Sequence, residues 1–193
     1  MSKPTLRTFI AYVEDVPGVL NRVTSLLRRR NYNIVSLTVG RTERDGVSRM
    51  TVVVEADEDA ARRIEANLYK LVNVLFVEDT TKAATMVREL ALVKVRADAA
   101  GRSEVMRLCD VFRARVVDVG PEALVAEITG AEDKIDGLVD VLRPFGILEM
   151  VRTGAIAMIR SAEPGTDAGK IPLSIPPPPP SPPSPPSGSV KAA

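Results

Sequence analysis

The chain has 193 residues, 45% of them hydrophobic, with 26 lysines and arginines against 25 aspartates and glutamates. That length suits one ordinary domain or two small ones, and a net charge of +1 argues against a nucleic-acid or anionic-lipid partner. No apolar run reaches the roughly 18 residues of a membrane span, the start MSKPTLRTF has no apolar signal core, and a lone Cys109 allows no internal disulfide, so a cytoplasmic protein away from membranes is expected.

Leu6 to Val13 is rich in β-formers, with Leu6, Thr8, Ile10 and Tyr12 on one face and Arg7, Phe9, Ala11 and Val13 on the other. Both faces carry large apolar groups, so this strand is expected to be covered on both sides. Asp15-Val16-Pro17-Gly18 breaks it, and Val19, Leu20, Val23, Leu26 and Leu27 at helical spacing predict a helix from about Pro17 to Arg30. Asn31-Tyr32-Asn33 stops that helix. The strand IVSLTVG, a turn at Asp45-Gly46 and the strand SRMTVVVEA follow as a hairpin. Asp57 or Asp59 caps a second helix carrying Ala61, Ile64, Leu68 and Leu71, and Asn73 to Val77 returns as a strand. The order is β-α-β-β-α-β.

From Arg88 the same order repeats: strand ELALVKVRA, helix Ser103 to Arg113, strand RVVDV, a turn at Gly120-Pro121, strand ALVAEIT, helix Glu132 to Leu142 and strand ILEMVRTG. The expected fold class is therefore α+β, two ferredoxin-like β-α-β-β-α-β domains at 5–80 and 88–160, with 81–87 as a polar linker. Units of about 75 residues bury only about 60% of their unfolded surface, which makes pairing of sheets in a homodimer a natural expectation. Eleven of the fifteen prolines lie between Pro164 and Pro186, so 161–193 is expected to be a disordered or polyproline-like tail.

Much chemistry is missing. With no histidine, neither a Ser/His nor a Cys/His nucleophile pair can form, and Cys109 falls at core spacing with Val105, Leu108 and Phe112. No zinc or calcium spacing and no glycine-rich phosphate loop occurs. Glu14 and Asp15, adjacent at a strand end, are expected to point apart and to serve turns or caps. Arg28-Arg29-Arg30 ends a helix, where cations meet the dipole favourably.

One segment carries more information. EDVPGVL (14–20), RRRNYNIVSLTVG (28–40) and SRMTVVV (48–54) closely resemble the amino-terminal ACT domain of acetohydroxyacid (acetolactate) synthase regulatory small subunits. LYKLVNVLFV, RELALVKVRA, VFRARVVDVGPEAL and the run ending LRPFGILEMVRTGAIAMIR extend the likeness over Arg7 to Arg160. The most specific part is NYNI-x-SL-x-V together with SRMT, because many ACT regulators share P-G-[VA]-L.

That resemblance implies a non-catalytic subunit that binds and activates a larger acetolactate synthase catalytic subunit and confers feedback inhibition by valine in branched-chain amino-acid biosynthesis. The catalytic partner would carry thiamine diphosphate, magnesium and FAD, and this chain none of them. By matched position it implies a valine held between two ACT domains, by Asp15, Gly18 and nearby Asn21 of one protomer and by Asn33 and nearby Ile34 of the other. The residues themselves add a physical reading: a helix start offers unpaired amides for an α-carboxylate, and Gly18 leaves room for close approach. Asp15 would either cap the helix or accept hydrogen bonds from a bound ammonium group. Val16 and Val19 would either line an aliphatic pocket or simply pack the helix against its sheet. Gly101, at the matching loop of the second half, lacks the P-G-V-L pattern and supports no second site there. The competing expectation is an ACT-domain amino-acid-responsive regulator of another target.

Overall fold

The β-former run at the start of the chain becomes strand β1, Thr5–Glu14, in the computed structural model, which describes residues 4–160. The proline-rich tail expectation lies outside the described residues. Helix α1 spans Val19–Arg29, two residues shorter at its start than its periodicity suggests, because Gly18 adopts a left-handed φ of 88° that no continuing helix contains. It ends where Asn31 turns left-handed, φ 59°, with the Tyr32 amide donating to Leu27 O at 3.1 Å and the Asn31 amide to Arg28 O at 3.0 Å. These bonds satisfy carbonyls that the helix end would otherwise leave open.

Strands β2 (Ile34–Arg41) and β3 (Val47–Ala56) form the expected hairpin. Helix α2 (Glu58–Leu68) starts at Asp57, whose carboxylate accepts the Ala60 amide at 2.7 Å, and β4 (Val74–Asp79) closes the unit. The second half supplies β5 (Thr85–Arg96), α3 (Arg102–Val111), β6 (Arg115–Val119), β7 (Ala123–Gly130) and α4 (Glu132–Leu142). A 3-10 turn at Arg143–Phe145 leads into β8 (Ile147–Arg152) and β9 (Ile156–Ile159). Strand order is β2-β3-β1-β4 in the first sheet and β6-β7-β5-β8 in the second, so the repeat of pattern is a repeat of topology. Even the helix stop recurs: Arg113 is left-handed at φ 52°, and the Ala114 amide reaches back to Cys109 O at 2.8 Å.

Each half has its own core. Phe9, Val13, Met50, Val52, Val23, Leu27, Ile64 and Leu68 pack between the first sheet and its helices. Val93, Val95, Leu124, Ile128, Ile135, Leu138 and Cys109 do so in the second. Fully burying such a side chain is worth about 1.5–3 kcal/mol. Burial pushes the Cys109 thiol up from its ordinary value, so this cysteine is a core group.

The expectation that β1 is covered on both sides holds, for a reason the sequence did not disclose. The outer face of the first sheet carries Ile10, Tyr12 and Val47, and Ala157 of β9 packs there with Val87 of β5. The Ala155 amide donates to Ser36 Oγ at 2.8 Å, and the Arg49 guanidinium donates to Ala157 O while its Nε reaches the Tyr12 hydroxyl at 3.2 Å. Strand β9 was not foreseen, and residues 85–87 of the expected linker are strand: Thr85, Met86, Val87 and Arg88 pair with Ile159, Met158, Ala157 and Ile156. The rest of that linker is pinned as well. Lys82 Nζ lies 2.8 Å from Glu58, which also meets the buried Arg7 at 2.8 Å. Those two cations, Lys82 foremost, hold the Glu58 carboxyl down at about 2.

Gly154 packs directly against β2, where the second half meets the first. A Cβ there would lie 2.6 Å from both Ser36 Oγ and Thr38 Oγ1, and 3.1 Å from the backbone oxygen of Leu37, which cannot swing aside. Gly154→Val is therefore expected to destabilise the chain by about 1–3 kcal/mol, seen as a lower urea midpoint. An unchanged midpoint would show that the halves are not packed through this contact.

Candidate functional site

The loop from Glu14 to Gly18 lies at the end of β1, and Gly18 makes it unusual. Gly18 occupies the cap position of α1 in a left-handed conformation, with no side-chain hydrogen bond to the helix start. The first helical hydrogen bond runs from the Arg22 amide to Gly18 O at 3.0 Å, so the amides of Val19, Leu20 and Asn21 precede any intrahelical acceptor. An ideal Cβ on Gly18 would have nothing within 4 Å, so the space in front of the helix start is open.

Asp15 does not cap this helix. Its amide donates to Gly46 O at 2.8 Å and its carboxylate faces the Arg41 guanidinium at 3.7 Å, so of the two roles weighed for it capping is excluded. Asp15, Arg41, Thr42, Arg44 and Gly46 line a small recess of about 120 Å³ there. Glu14 points elsewhere, as expected of neighbours on a strand: it accepts from Asn73 Nδ2 at 2.5 Å, and Asn73 Oδ1 accepts from Arg22 at 2.5 Å. This relay ties the first turn of α1 to the start of β4. Neither Arg22 nor Asn73 was singled out from sequence, since the bridge links positions 51 apart and has no local pattern.

Of the two aliphatic candidates, Val19 is 4% exposed and belongs to the first core, the packing role of the two weighed for it, whereas Val16 is 43% exposed. Leu20, counted with the apolar stripe of the helix, is 43% exposed at the same helix start. Asn21 is exposed, its Oδ1 accepting from Ser25 Oγ at 3.4 Å. Asn33 and Ile34 are not near these groups within one chain. β1 and β2 are both antiparallel to β3 and so run the same way, which puts the start of β2 at the opposite end of the sheet from the loop. The eight residues of β2 separate them by roughly 25 Å.

The residues that build this loop fall inside a stretch, 9–76, that matches a family described as the AHAS small subunit-like ACT domain, while 88–161 matches the small subunit of acetolactate synthase. The chain is 46% identical over 153 residues to a probable acetolactate synthase small subunit of Archaeoglobus fulgidus, covering 79% of this chain and 96% of that one. It is 47% identical over 153 residues to the acetolactate synthase small subunit of Mycobacterium leprae, 79% of this chain and 90% of the relative. The chain belongs to the acetolactate synthase small-subunit family. The crystal structure of the small subunit from Thermotoga maritima superposes with a TM-score of 0.77 at 35% identity, over 82% of this chain and 99% of that one.

Within this small-subunit fold the second half provides an internal control. Helix α3 starts at Gly101 with an ordinary φ of −83°, and Asp98 Oδ1 accepts the Ala100 and Gly101 amides at 3.1 and 2.8 Å. The Arg102 guanidinium fills the adjoining loop by donating to Gly120 O and Pro121 O, both at 2.7 Å. The protein's own carboxylate thus holds the loop amides just ahead of this helix. Among the described residues no cluster of three or more histidine, cysteine, aspartate or glutamate side chains is placed to hold a metal ion, and no helix is long and apolar enough to cross a membrane.

Because φ 88° is costly for an L-residue, Gly18→Ala is expected to destabilise the chain by about 1–2 kcal/mol while leaving the space before α1 open. Urea unfolding measures it, and a neutral or stabilising result would mean that the left-handed turn is not held in the native state.

Proposed function

We propose that the chain is the regulatory subunit of an acetolactate synthase: it binds the thiamine-diphosphate-dependent catalytic subunit, raises its activity and transmits feedback inhibition by valine. The observation that carries this reading is the open start of α1 beside an unpaired sheet edge. Three amides and the positive end of the helix dipole face open space, a seat suited to the α-carboxylate of a small amino acid. Val16 and Leu20, both exposed, offer the aliphatic contact. Asp15 offers a carboxylate to the ammonium group, with Arg41 as the cation it faces in the ligand's absence.

Strand β2 is an edge of the first sheet. A two-fold axis pairs two such edges antiparallel, and antiparallel pairing carries the start of one β2 toward the Arg41 end of the other. Asn33 and Ile34 of the partner copy then approach the Asp15–Gly18 loop, from which they are separated in a single chain. The homodimer therefore completes the valine site, and covering exposed Val39 adds to its stability. Thiamine diphosphate, magnesium and FAD belong to the catalytic partner. Valine acts by favouring the inhibited arrangement of the assembly, and a coupling of about 1–3 kcal/mol gives about 5–150-fold effects.

Gly18→Asp places bulk and negative charge at the carboxylate seat. In the reconstituted enzyme it is expected to abolish valine inhibition and to keep activation of the catalytic subunit, while Gly18→Ala, with the same backbone strain and no charge, keeps most of the inhibition. Pyruvate condensation assays with and without valine read this directly. Wild-type inhibition of the Gly18→Asp enzyme sinks the site assignment.

A further inference from the structure

A recess between the two halves lies far from the Gly18 loop, at the opposite end of the first sheet. Its volume is about 490 Å³, within the roughly 300–1,000 Å³ usual for small-molecule sites. One wall is the outer face of the first sheet at the starts of β1 and β2. The other is the second half: Val87 and Glu89 of β5, the first residue of α4, Glu132, and the strap from Arg152 to Ala155. The strap is held to β2 by the Ala155–Ser36 bond, so the recess exists only while the halves are docked.

Its chemistry is mixed in a specific way. Arg152 gives Nε to Glu89 at 2.6 Å and Nη1 to Asp136 at 2.7 Å, whereas its Nη2 is buried with no partner among the described residues. A buried guanidinium nitrogen left unpaired is costly, and a carboxylate is the acceptor that best matches it. Glu132, also in the lining, is exposed and makes no ion pair among the described residues. Glu89 and Glu132 against Arg152 leave the lining one negative charge in excess, which disfavours a plain anion and favours a ligand that brings an ammonium group. Leu6, Val35, Leu37, Val53 and Val87 supply an aliphatic wall, of which Leu6 and Val35 are about half exposed. Apolar surface left open beside opposed charges is what an aliphatic zwitterion covers.

We infer that this recess is a second small-molecule site, taking an aliphatic amino acid with its carboxylate toward Arg152, its ammonium toward Glu132 and its side chain on the Leu6–Val35 wall. A ligand there touches both halves and therefore stabilises their docked arrangement. The inference stands apart from the loop reading above, since no residue is shared with the Asp15–Asn21 segment.

The test uses the full chain carrying Gly18→Asp, which blocks the loop, titrated calorimetrically with leucine and with 4-methyl-2-oxopentanoate, the same skeleton without the ammonium group. One leucine per chain is expected to bind, the oxo acid not at all. Glu132→Gln is expected to weaken leucine at least tenfold, and Leu6→Trp, which fills the recess from an exposed position, to abolish it, with far-UV spectra unchanged in both. No leucine binding to the folded Gly18→Asp chain overturns the inference and leaves the loop reading intact. So does equal binding of the oxo acid, or leucine binding indifferent to both Glu132→Gln and Leu6→Trp.

Discussion

A left-handed backbone at one residue decides how the first helix begins. With φ at 88°, Gly18 turns the chain into α1 without a side-chain cap, and the amides at the helix start keep their hydrogen-bonding capacity. The cost is real for both backbone and dipole, because an ordinary helix in the same molecule takes the other course: α2 has Asp57 on its Ala60 amide, and Asp98 binds the loop amides just ahead of α3. Among the four described helices only α2 carries a side-chain cap, and only α1 begins at a left-handed residue.

The rest of the structure serves to present that opening. The Glu14–Asn73–Arg22 relay fixes the first turn of α1 against β4, and Val19, Val23 and Leu27 anchor its inner face in the core. The second half covers the far side of the same sheet through Ala155, Ala157 and Val87, with Arg49 and Ser36 bonding the backbone of the arriving strap. Ser36 and Arg49 belong to the two most specific stretches of the family resemblance. In the structure they join the halves, so those stretches mark how the subunit is assembled as much as where it binds.

Much of this was legible from sequence because it is local. Alternation gave β1, helical spacing gave α1 to α4, Asp57 is the one of two cap candidates that the structure uses, and Asn31 marked a stop that a left-handed asparagine supplies. What escaped is non-local. Strand β9 is four residues long and exists because the start of β5 pairs with it, a partnership of residues about 70 apart that took in the last three residues of the expected linker. Spacing left Asp15 either a cap or an acceptor for a bound ammonium, and only the hairpin that brings Arg41 beside it rules out the cap. Val19 and Leu20 are adjacent, so spacing could not say that one enters the core and the other faces out. Asn33 and Ile34 are joined to the loop by the family resemblance and yet lie a strand's length away in one chain, a separation that only sheet direction reveals.

The central claim is that the open amides of α1 receive the carboxylate of valine across paired subunits. Amide resonances of the isotopically labelled subunit, followed during titration with valine, test it most directly. The account predicts shifts at Gly18 to Asn21 together with Asn33 and Ile34, and none at Ala100 or Gly101, where Asp98 already occupies the amides. Shifts confined to one end of the sheet, or absent from the Gly18 turn, would contradict it.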